Sequence, residues 1–292
     1  MVNNLREPLE ISAPLAWRLA PQLCLRNPAT GESCAWHHGF WQYLRLMELA
    51  VTPARQADFY RRALQSVTDG NKVPHILISG ATDYSMLAHV LSIYRERELE
   101  PAVTVIDKCD TAVFLSRWYA ERESASVACS RADILEYASA TPFDAVCTDS
   151  FLGQFSPDER FRLLEKWRQL LRPGGAVVTV TRVRATAGTA QIGFSVEQAQ
   201  AFRTAMLRKA ALMPASLSAD PAEIVEAGDV YVDRQRTWPV RSREEVQELF
   251  EQCGFRVDEL SDALDAYASQ PQPKDPGSPG SGEQLRIIAI RL

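Results

Sequence analysis

The sequence predicts an α/β fold: a doubly wound, mainly parallel sheet of seven strands with a helical cap at the N-terminus. Three observations lead to this prediction. Short apolar segments run without polar interruption, they alternate with amphipathic helical segments, and the last two strand segments follow each other without a helix between them. Continuous apolar strands are typical of parallel sheets that helices cover on both faces.

The composition is that of a globular protein, and it excludes some classes of binding partner. The chain has 292 residues, of which 46% are hydrophobic and 24% charged, with a net charge of −5. Lysine and arginine are scattered, so no basic stripe exists that could follow a nucleic-acid backbone. The N-terminus lacks a signal-peptide pattern, and no apolar run approaches the roughly 18 residues of a membrane span. We therefore expect a cytoplasmic protein that binds neither nucleic acid nor membrane.

The N-terminal 70 residues are predicted to lie outside the sheet. Residues 1 to about 30 contain several prolines and show no sustained period, which indicates an arm lying against the body. Residues 36–65 have helical periodicity with a break near Pro53, which predicts a cap of one or two helices. The α/β domain is then expected over residues 71–292.

Seven strand segments follow in order. They are Val73–Ser79, Ala102–Asp107, Ser126–Cys129, Phe143–Thr148, Ala176–Val183, Phe255–Leu260 and Leu285–Leu292. Helical periodicity connects them over Tyr84–Leu99, over Asp110–Glu123 and after Ser156. Ser156 and Glu159 form a capping box with proline at the first helical position, and a second box begins at Ser242.

The fifth and sixth strands are separated by an insertion of residues 184–241, with helix signals at Ser195–Met213 and Asp220–Glu226. Insertions of this size usually build a binding surface. The polar and aromatic side chains suited to meeting a substrate there are Tyr231, Arg234, Arg236 and Trp238. A Pro/Gly/Ser-rich stretch at about 269–282 is predicted to be a mobile loop.

The six cysteines give no sign of a shared role in the sequence. They contain no Cys-x-x-Cys pair, and the histidines are not spaced as ligands on one helix face. Several cysteines fall in or beside apolar strands, where a thiol behaves as a small hydrophobic group. We therefore expect reduced, structural cysteines, with neither a disulfide framework nor a metal site.

The order of elements resembles the class I S-adenosylmethionine (SAM)-dependent methyltransferases over roughly residues 70–292. The most specific local match is Leu170-Leu171-Arg172-Pro173-Gly174-Gly175 before an apolar strand, which is similar to the family's turn before strand five. Carboxylates at the ends of strands two and four add to the resemblance. It implies a Rossmann-like methyltransferase fold whose last two strands form a hairpin, and SAM as the cofactor.

The glycine-rich motif of that family is only partly present. After the first strand the chain has Ile78-Ser79-Gly80-Ala81-Thr82-Asp83-Tyr84, in which Gly80 alone matches, and the usual acidic residue at the strand end is replaced by Ile78. Small residues at 81 and 82 still allow close approach of a ligand, and Asp83 is expected to meet the ammonium group of SAM. The residues expected to bind the cofactor are Gly80, Ala81, Thr82, Asp83, Asp107, Lys108, Asp133, Ile134, Asp149, Ser150 and Phe151.

Ligand sites in open α/β sheets lie outside the carboxyl ends of the strands. Asp107 ends strand two, where a carboxylate can accept hydrogen bonds from both ribose hydroxyl groups of the cofactor. By resemblance, Asp133 accepts from the adenine amino group. Asp149, Ser150 and Phe151 follow strand four, where the family's enzymes meet both the methionine end of SAM and the substrate.

The expected reaction is methyl transfer from SAM to a small-molecule substrate, in specialised metabolism. Alignment of the reactants supplies most of the catalysis, and a protonated nucleophile also needs a base. Candidate catalytic residues are His37 and Tyr43 in the cap and Asp149 after strand four. Aromatic residues of the cap, Trp36, Phe40, Trp41 and Tyr43, are placed either to close over the sulfonium cation or to pack on the sheet.

Other functions stay open. A SAM enzyme that cyclises or cleaves SAM itself, releasing methylthioadenosine, fits the altered motif at Ile78–Tyr84. A non-catalytic SAM-binding protein has the same sequence features. A nicotinamide oxidoreductase is disfavoured because the glycine fingerprint that admits a pyrophosphate is missing. The sequence does not indicate the acceptor atom or the oligomeric state.

Overall fold

The computed structural model describes residues 7–27, 30–50, 52–70, 73–185, 188–213, 217, 220–263, 277–280 and 282–292. Its α-helices are α1 (Leu9–Leu23), α2 (Ala35–Leu46), α3 (Ala57–Val67), α4 (Ser85–Arg95), α5 (Asp110–Arg122), α6 (Pro157–Leu170), α7 (Val196–Ala210), α8 (Pro221–Arg234) and α9 (Arg243–Gln252). Its strands are β1 (His75–Ser79), β2 (Ala102–Asp107), β3 (Val127–Arg131), β4 (Phe143–Asp149), β5 (Leu171–Val183), β6 (Phe255–Asp262) and β7 (Glu283–Arg291).

The seven strands form one sheet in the order β3-β2-β1-β4-β5-β7-β6. The first five strands are parallel, and β7 runs antiparallel between β5 and β6. The predicted doubly wound, mainly parallel sheet is therefore confirmed, including the final hairpin. Ile78 of β1 lies in register with Val105 of β2 and Cys147 of β4, so the carboxyl ends of these three strands meet at one edge.

The predicted start of strand five differs from the structure. β5 begins at Leu171, before the Pro-Gly-Gly segment, and its pairing with β4 shifts register between Phe143 and Ala145. Gly174 has a φ of +74°, and a Cβ on Gly175 would lie 2.9 Å from the carbonyl oxygen of Arg172. The family-like turn is thus an irregularity inside a long strand, and glycine is required there because side chains do not fit.

Within the arm expected over residues 1–30, for which the sequence indicates no secondary structure, residues 9–23 form the helix α1. α1 buries a row of small residues, Ser12, Ala13, Ala16 and Ala20, against α2. The packing is close, since a Cβ on Gly39 of α2 would lie 3.3 Å from that of Ala20. Large apolar residues do not mark this face, and Pro14 and Pro21 inside the helix conceal its period.

A second hydrophobic core covers the carboxyl edge of the sheet. Residues of α1 and α2 pack with residues of α7 and α8 from the insertion, as Phe40 does with Phe202 and Tyr231. α3 differs, because Phe59 and Tyr60 belong to the core of the sheet. The two predicted helices of the insertion are present, and α8 extends to Arg234, eight residues beyond its predicted end.

Part of the loop predicted to be mobile is held in place. Residues 269–276 and 281 lie outside the described residues, but 277–280 pack on the insertion: Tyr231 donates to the carbonyl of Gly277 (2.9 Å), and Arg184 donates to that of Pro279 (2.8 Å). Among the helices of the described chain, none combines the length and apolar character needed to cross a lipid bilayer.

Candidate functional site

A cavity of about 640 Å³ lies between the carboxyl edge of the sheet, the cap and the insertion. The predicted residues after β1 and β2 that line it are Gly80, Ala81, Thr82, Asp107 and Lys108. Those after β3 and β4 are Ile134, Asp149, Ser150 and Phe151. The volume is in the range of small-molecule sites, roughly 300 to 1,000 Å³.

Gly80 forms the floor of the cavity beneath the ring of Phe151. Its φ is +75°, and an added Cβ would lie 2.2 Å from a ring carbon of Phe151. Both the backbone conformation and the contact therefore require glycine. Thr82 and Ser150, on either side of this contact, also have positive φ values of 28° and 53°. Non-glycine residues in such conformations are concentrated at functional sites.

Asp107 ends β2 and links it to the turn after β1 that contains Gly80 and Ala81. One carboxylate oxygen accepts from the backbone N–H of Ala81 (2.9 Å), and the other accepts from that of Cys109 (2.8 Å). Each oxygen retains a further lone pair for a ligand hydroxyl group. The carboxylate is thus fixed in orientation while it lines the cavity.

Asp149 ends β4 with its carboxylate half-buried in the cavity wall. Its oxygens accept from the hydroxyl of Tyr60 (2.8 Å) and from that of Ser150 (2.8 Å). Burial raises the pKa of Asp149 to about 6, although both hydrogen bonds favour the charged form. Such a carboxylate changes charge close to neutral pH, which suits it to proton transfer.

Asp133 is at the rim and outside the lining of the cavity. Its carboxylate lies 2.8 Å from the ammonium nitrogen of Lys108, and it accepts from the backbone N–H of Leu135 (3.0 Å). Although partial burial opposes this, the contact with Lys108 lowers the pKa of Asp133. The neighbouring Ile134 does line the cavity with a buried apolar side chain.

The structure contradicts the predicted role of Asp83. This side chain is 1% exposed and turns away from the cavity into the cap. It accepts from the guanidinium of Arg45 (2.7 Å) and from the amide of Gln42 (2.9 Å), both on α2. It also accepts from the backbone N–H of Ser85 (2.7 Å) at the start of α4. Because both of its carboxylate oxygens bond to α2 or to the start of α4, Asp83 holds the cap against the turn that follows β1.

Tyr43, predicted to be catalytic, also lies outside the cavity. It is fully buried in the core between cap and insertion, and its hydroxyl donates to the carbonyl of Leu217 (3.0 Å). The helical period of α2 directs Tyr43 and Phe40 to this core, whereas Trp36, His37 and Trp41 line the cavity.

His37 stacks between two rings, with centroids 5.3 Å from Trp41 and 6.0 Å from Tyr231. Burial and the adjacent His38 lower the pKa of His37 to about 3, so its imidazole is neutral and weakly basic at pH 7. The indole N–H of Trp41 is buried without a hydrogen-bond partner among the described residues. A buried donor in a cavity wall is a favourable contact for a ligand acceptor.

The insertion gives the cavity a basic wall. Arg234 and Arg236 line it as predicted, with Tyr231, whereas Trp238 does not. Sequence reasoning missed Arg182 and Arg184, which line the cavity from the end of β5 and the residue after it. It also missed Tyr60 of α3, because nothing in the local sequence indicated its contact with Asp149. The signal for the arginines was available, since Arg182 lies at the carboxyl end of a parallel strand and Arg184 directly follows that strand.

No protein-family model matches the sequence, and no curated protein matches it either. Among solved structures, magnesium protoporphyrin IX methyltransferase from Synechocystis PCC 6803, with SAH bound, is similar at 10% identity and a TM-score of 0.50. The match covers 89% of this chain and 96% of that one. A candidate sarcosine dimethylglycine methyltransferase from Galdieria sulphuraria is similar at 9% identity and a TM-score of 0.50, over 96% and 98% of the two chains. The strand order and these likenesses together show that the chain has the fold of the class I SAM-dependent methyltransferases.

Proposed function

We propose that this protein is a SAM-dependent methyltransferase acting on a small molecule. One observation carries the proposal: Gly80, Asp107 and Asp149, from the carboxyl ends of three adjacent parallel strands, line a single cavity of about 640 Å³. This is where ligands bind in open α/β sheets. The solved structures of the same fold are described as methyltransferases, one of them with SAH bound.

The donors and acceptors of the cavity fit an adenosyl cofactor. The fixed carboxylate of Asp107 is placed to accept from ribose hydroxyls, and Ile134 offers an apolar surface to the adenine ring. When bound, SAM supplies a methyl group on a positively charged sulfur. Aromatic rings and carboxylates both attract such a cation, and Trp41 and Asp149 line the same cavity.

The basic wall indicates the class of substrate. Arg182, Arg234 and Arg236 line the side of the cavity formed by β5 and the insertion. Guanidinium groups bind carboxylate and phosphate groups through paired hydrogen bonds. We infer that the methyl acceptor is a small molecule with an anionic group, which these arginines orient. Asp149, with its raised pKa, is then the side chain suited to remove a proton from the acceptor.

The alternative in which SAM itself is the substrate is supported by Asp83. In the sequence this carboxylate was the expected partner of the SAM ammonium group, and the structure commits it to Arg45 instead. The methionine end of SAM must therefore be held differently from the family pattern. Cyclisation or cleavage of SAM would release methylthioadenosine without any acceptor.

Product analysis distinguishes these functions. The purified protein is incubated with SAM alone and with SAM plus a pool of small carboxylates and phosphates, and the nucleoside products are separated by mass. Methyl transfer predicts S-adenosylhomocysteine that forms only with the pool. Formation of methylthioadenosine from SAM alone would show that the protein cyclises or cleaves SAM and would contradict the proposed methyl transfer. Binding of SAM without either product would show a non-catalytic protein.

A further inference from the structure

A cluster of sulfur and nitrogen atoms lies where the cap meets the turn after β2. It consists of Cys24, Cys34, His38 and Cys109, whose ligand-type atoms all lie within 4.8 Å of one another. The Sγ atom of Cys109 is 3.4 Å from that of Cys24 and 3.6 Å from that of Cys34. Nδ1 of His38 is 3.9 Å from Sγ of Cys24.

These three separations are close to the edges of a tetrahedral site. Zinc binds thiolate at about 2.3 Å and imidazole at about 2.0 to 2.1 Å, so tetrahedral geometry places ligand atoms about 3.5 to 3.8 Å apart. Three thiolates with one histidine are a recurrent donor set of structural zinc sites. Soft sulfur donors also favour zinc over magnesium or calcium.

The surroundings favour thiolates. Cys34 is the N-cap residue of α2, and Cys109 is the N-cap residue of α5, so the positive ends of two helix dipoles face the cluster. The hydroxyl of Thr111 lies 3.1 Å from Sγ of Cys24. Cys24, His38 and Cys109 are buried, and Ala20 and Ala112 pack around them. If the thiols ionise, such a buried cluster requires a cation to balance its charge.

A disulfide explains less of the arrangement. The six cysteines are free in the structure, and the Sγ atoms of Cys24 and Cys109 are 3.4 Å apart, against about 2.05 Å in a disulfide. One bridge would leave the third thiol and the imidazole of His38 without a role. Sequence spacing did not predict the site, because its ligands come from three separate segments. The one local signal was Cys34-x-x-x-His38, which places two ligands one helical turn apart.

We propose that Cys24, Cys34, His38 and Cys109 form a structural Zn²⁺ site. The four ligands complete the coordination sphere, so the metal serves the fold and takes no part in substrate activation. Cys24 ends α1, Cys34 and His38 lie at the start of α2, and Cys109 follows Asp107 by two residues. The metal would therefore fasten both cap helices to the turn that carries the Asp107 carboxylate. The original expectation of no metal site is replaced by this inference.

The direct test measures metal in the full-length protein purified under reducing conditions without added metal or chelator. Elemental analysis should find about one zinc per chain, and X-ray absorption should find sulfur neighbours at about 2.3 Å. Replacement by Co²⁺ should give the absorption bands of a tetrahedral thiolate complex. Cys24→Ser and Cys109→Ser should each lower the zinc content at least tenfold. Cys129→Ser and Cys253→Ser, at cysteines outside the cluster, should leave it unchanged.

Two results would overturn the proposal. The first is wild-type protein that contains less than about a tenth of a zinc per chain and takes up no Co²⁺. The second is zinc that remains at full content in Cys109→Ser. An intact mass two hydrogens below that of the reduced chain, without metal, would establish a disulfide instead. The Co²⁺ spectrum of the wild type decides the question even if the cluster variants do not fold.

Discussion

The hydroxyl of Tyr60, on α3, donates a hydrogen bond of 2.8 Å to the carboxylate of Asp149 at the end of β4. The same hydroxyl lies 2.9 Å from the carbonyl oxygen of Thr148, so it is held at the strand end. A helix that precedes the sheet in the sequence thus supplies a hydrogen bond that favours the charged form of a carboxylate in the cavity. Burial raises the pKa of Asp149 to about 6, and the hydrogen bond from Tyr60 acts in the opposite direction.

Tyr60→Phe should shift the acidic limb of activity to higher pH. Removing a donor that stabilises the charged form raises the pKa of Asp149 further, by roughly one unit. If ionised Asp149 is required, kcat/KM at a given acidic pH should fall while the plateau is retained. The control is Tyr94→Phe, which removes a buried hydroxyl bonded to Thr68 outside the cavity. An unchanged acidic limb in Tyr60→Phe would show that Asp149 does not control the reaction.

Asp149→Asn should stabilise the fold at neutral pH while it abolishes activity. The folded pKa of about 6 lies above the ordinary value of 3.8, so the wild type loses stability as pH rises through this interval. Asparagine lacks this loss, which predicts a gain of about 3 kcal/mol at pH 7 and about 0.5 kcal/mol at pH 4. Urea unfolding at the two pH values measures the difference. A variant less stable than wild type at pH 7 would contradict the raised pKa.

Asp83→Ala should lower the free energy of unfolding by about 3 to 5 kcal/mol, because it leaves the buried Arg45 without its main partner. The two side chains are 1% and 2% exposed. The affinity for S-adenosylhomocysteine of the folded variant should stay within about twofold, since the carboxylate does not reach the cavity. Because Arg45 also pairs with the buried Glu7, the triple variant Glu7→Leu, Arg45→Met, Asp83→Leu, which removes all three charges, should recover most of the stability. A tenfold loss of affinity in Asp83→Ala would restore the role first expected from the sequence.

The contrast between Asp83 and Asp107 shows which features of the site can be predicted from the sequence and which cannot. Buried parallel strands have continuous apolar segments, and for that reason the order of strands and the position of Asp107 were predictable. Asp83 follows Gly80 by three residues, but the positive φ of Thr82 turns its side chain into the cap. α1 was missed because its buried face is built from alanines. Tertiary contacts determine the direction of the Asp83 side chain and the packing of α1, and these contacts cannot be read from the local sequence pattern.

Gly80→Ala should destabilise the protein more than replacement of a glycine whose positive φ is the only obstacle to a side chain. The new Cβ would lie 2.2 Å from the ring of Phe151, and φ is +75°. Gly31 has a φ of +71° with no atom near its Cβ position, so Gly31→Ala is the matched control. We expect a difference of about 1 to 3 kcal/mol in unfolding free energy from overpacking. Equal losses in the two variants would show that the Phe151 contact is unimportant.

The proposed function requires that an adenosyl cofactor binds where β1, β2 and β4 end, with Asp107 holding its ribose. Isothermal titration calorimetry with S-adenosylhomocysteine tests it most directly, with Asp107→Asn and the control Asp110→Asn. Asp110 is the first residue of α5 and pairs with Arg131 at 3.0 Å, outside the cavity lining. We expect one binding site in the wild type, affinity at least tenfold weaker in Asp107→Asn, and unchanged affinity in Asp110→Asn. Absence of binding heat with both SAM and S-adenosylhomocysteine, or equal affinity in all three proteins, would contradict it.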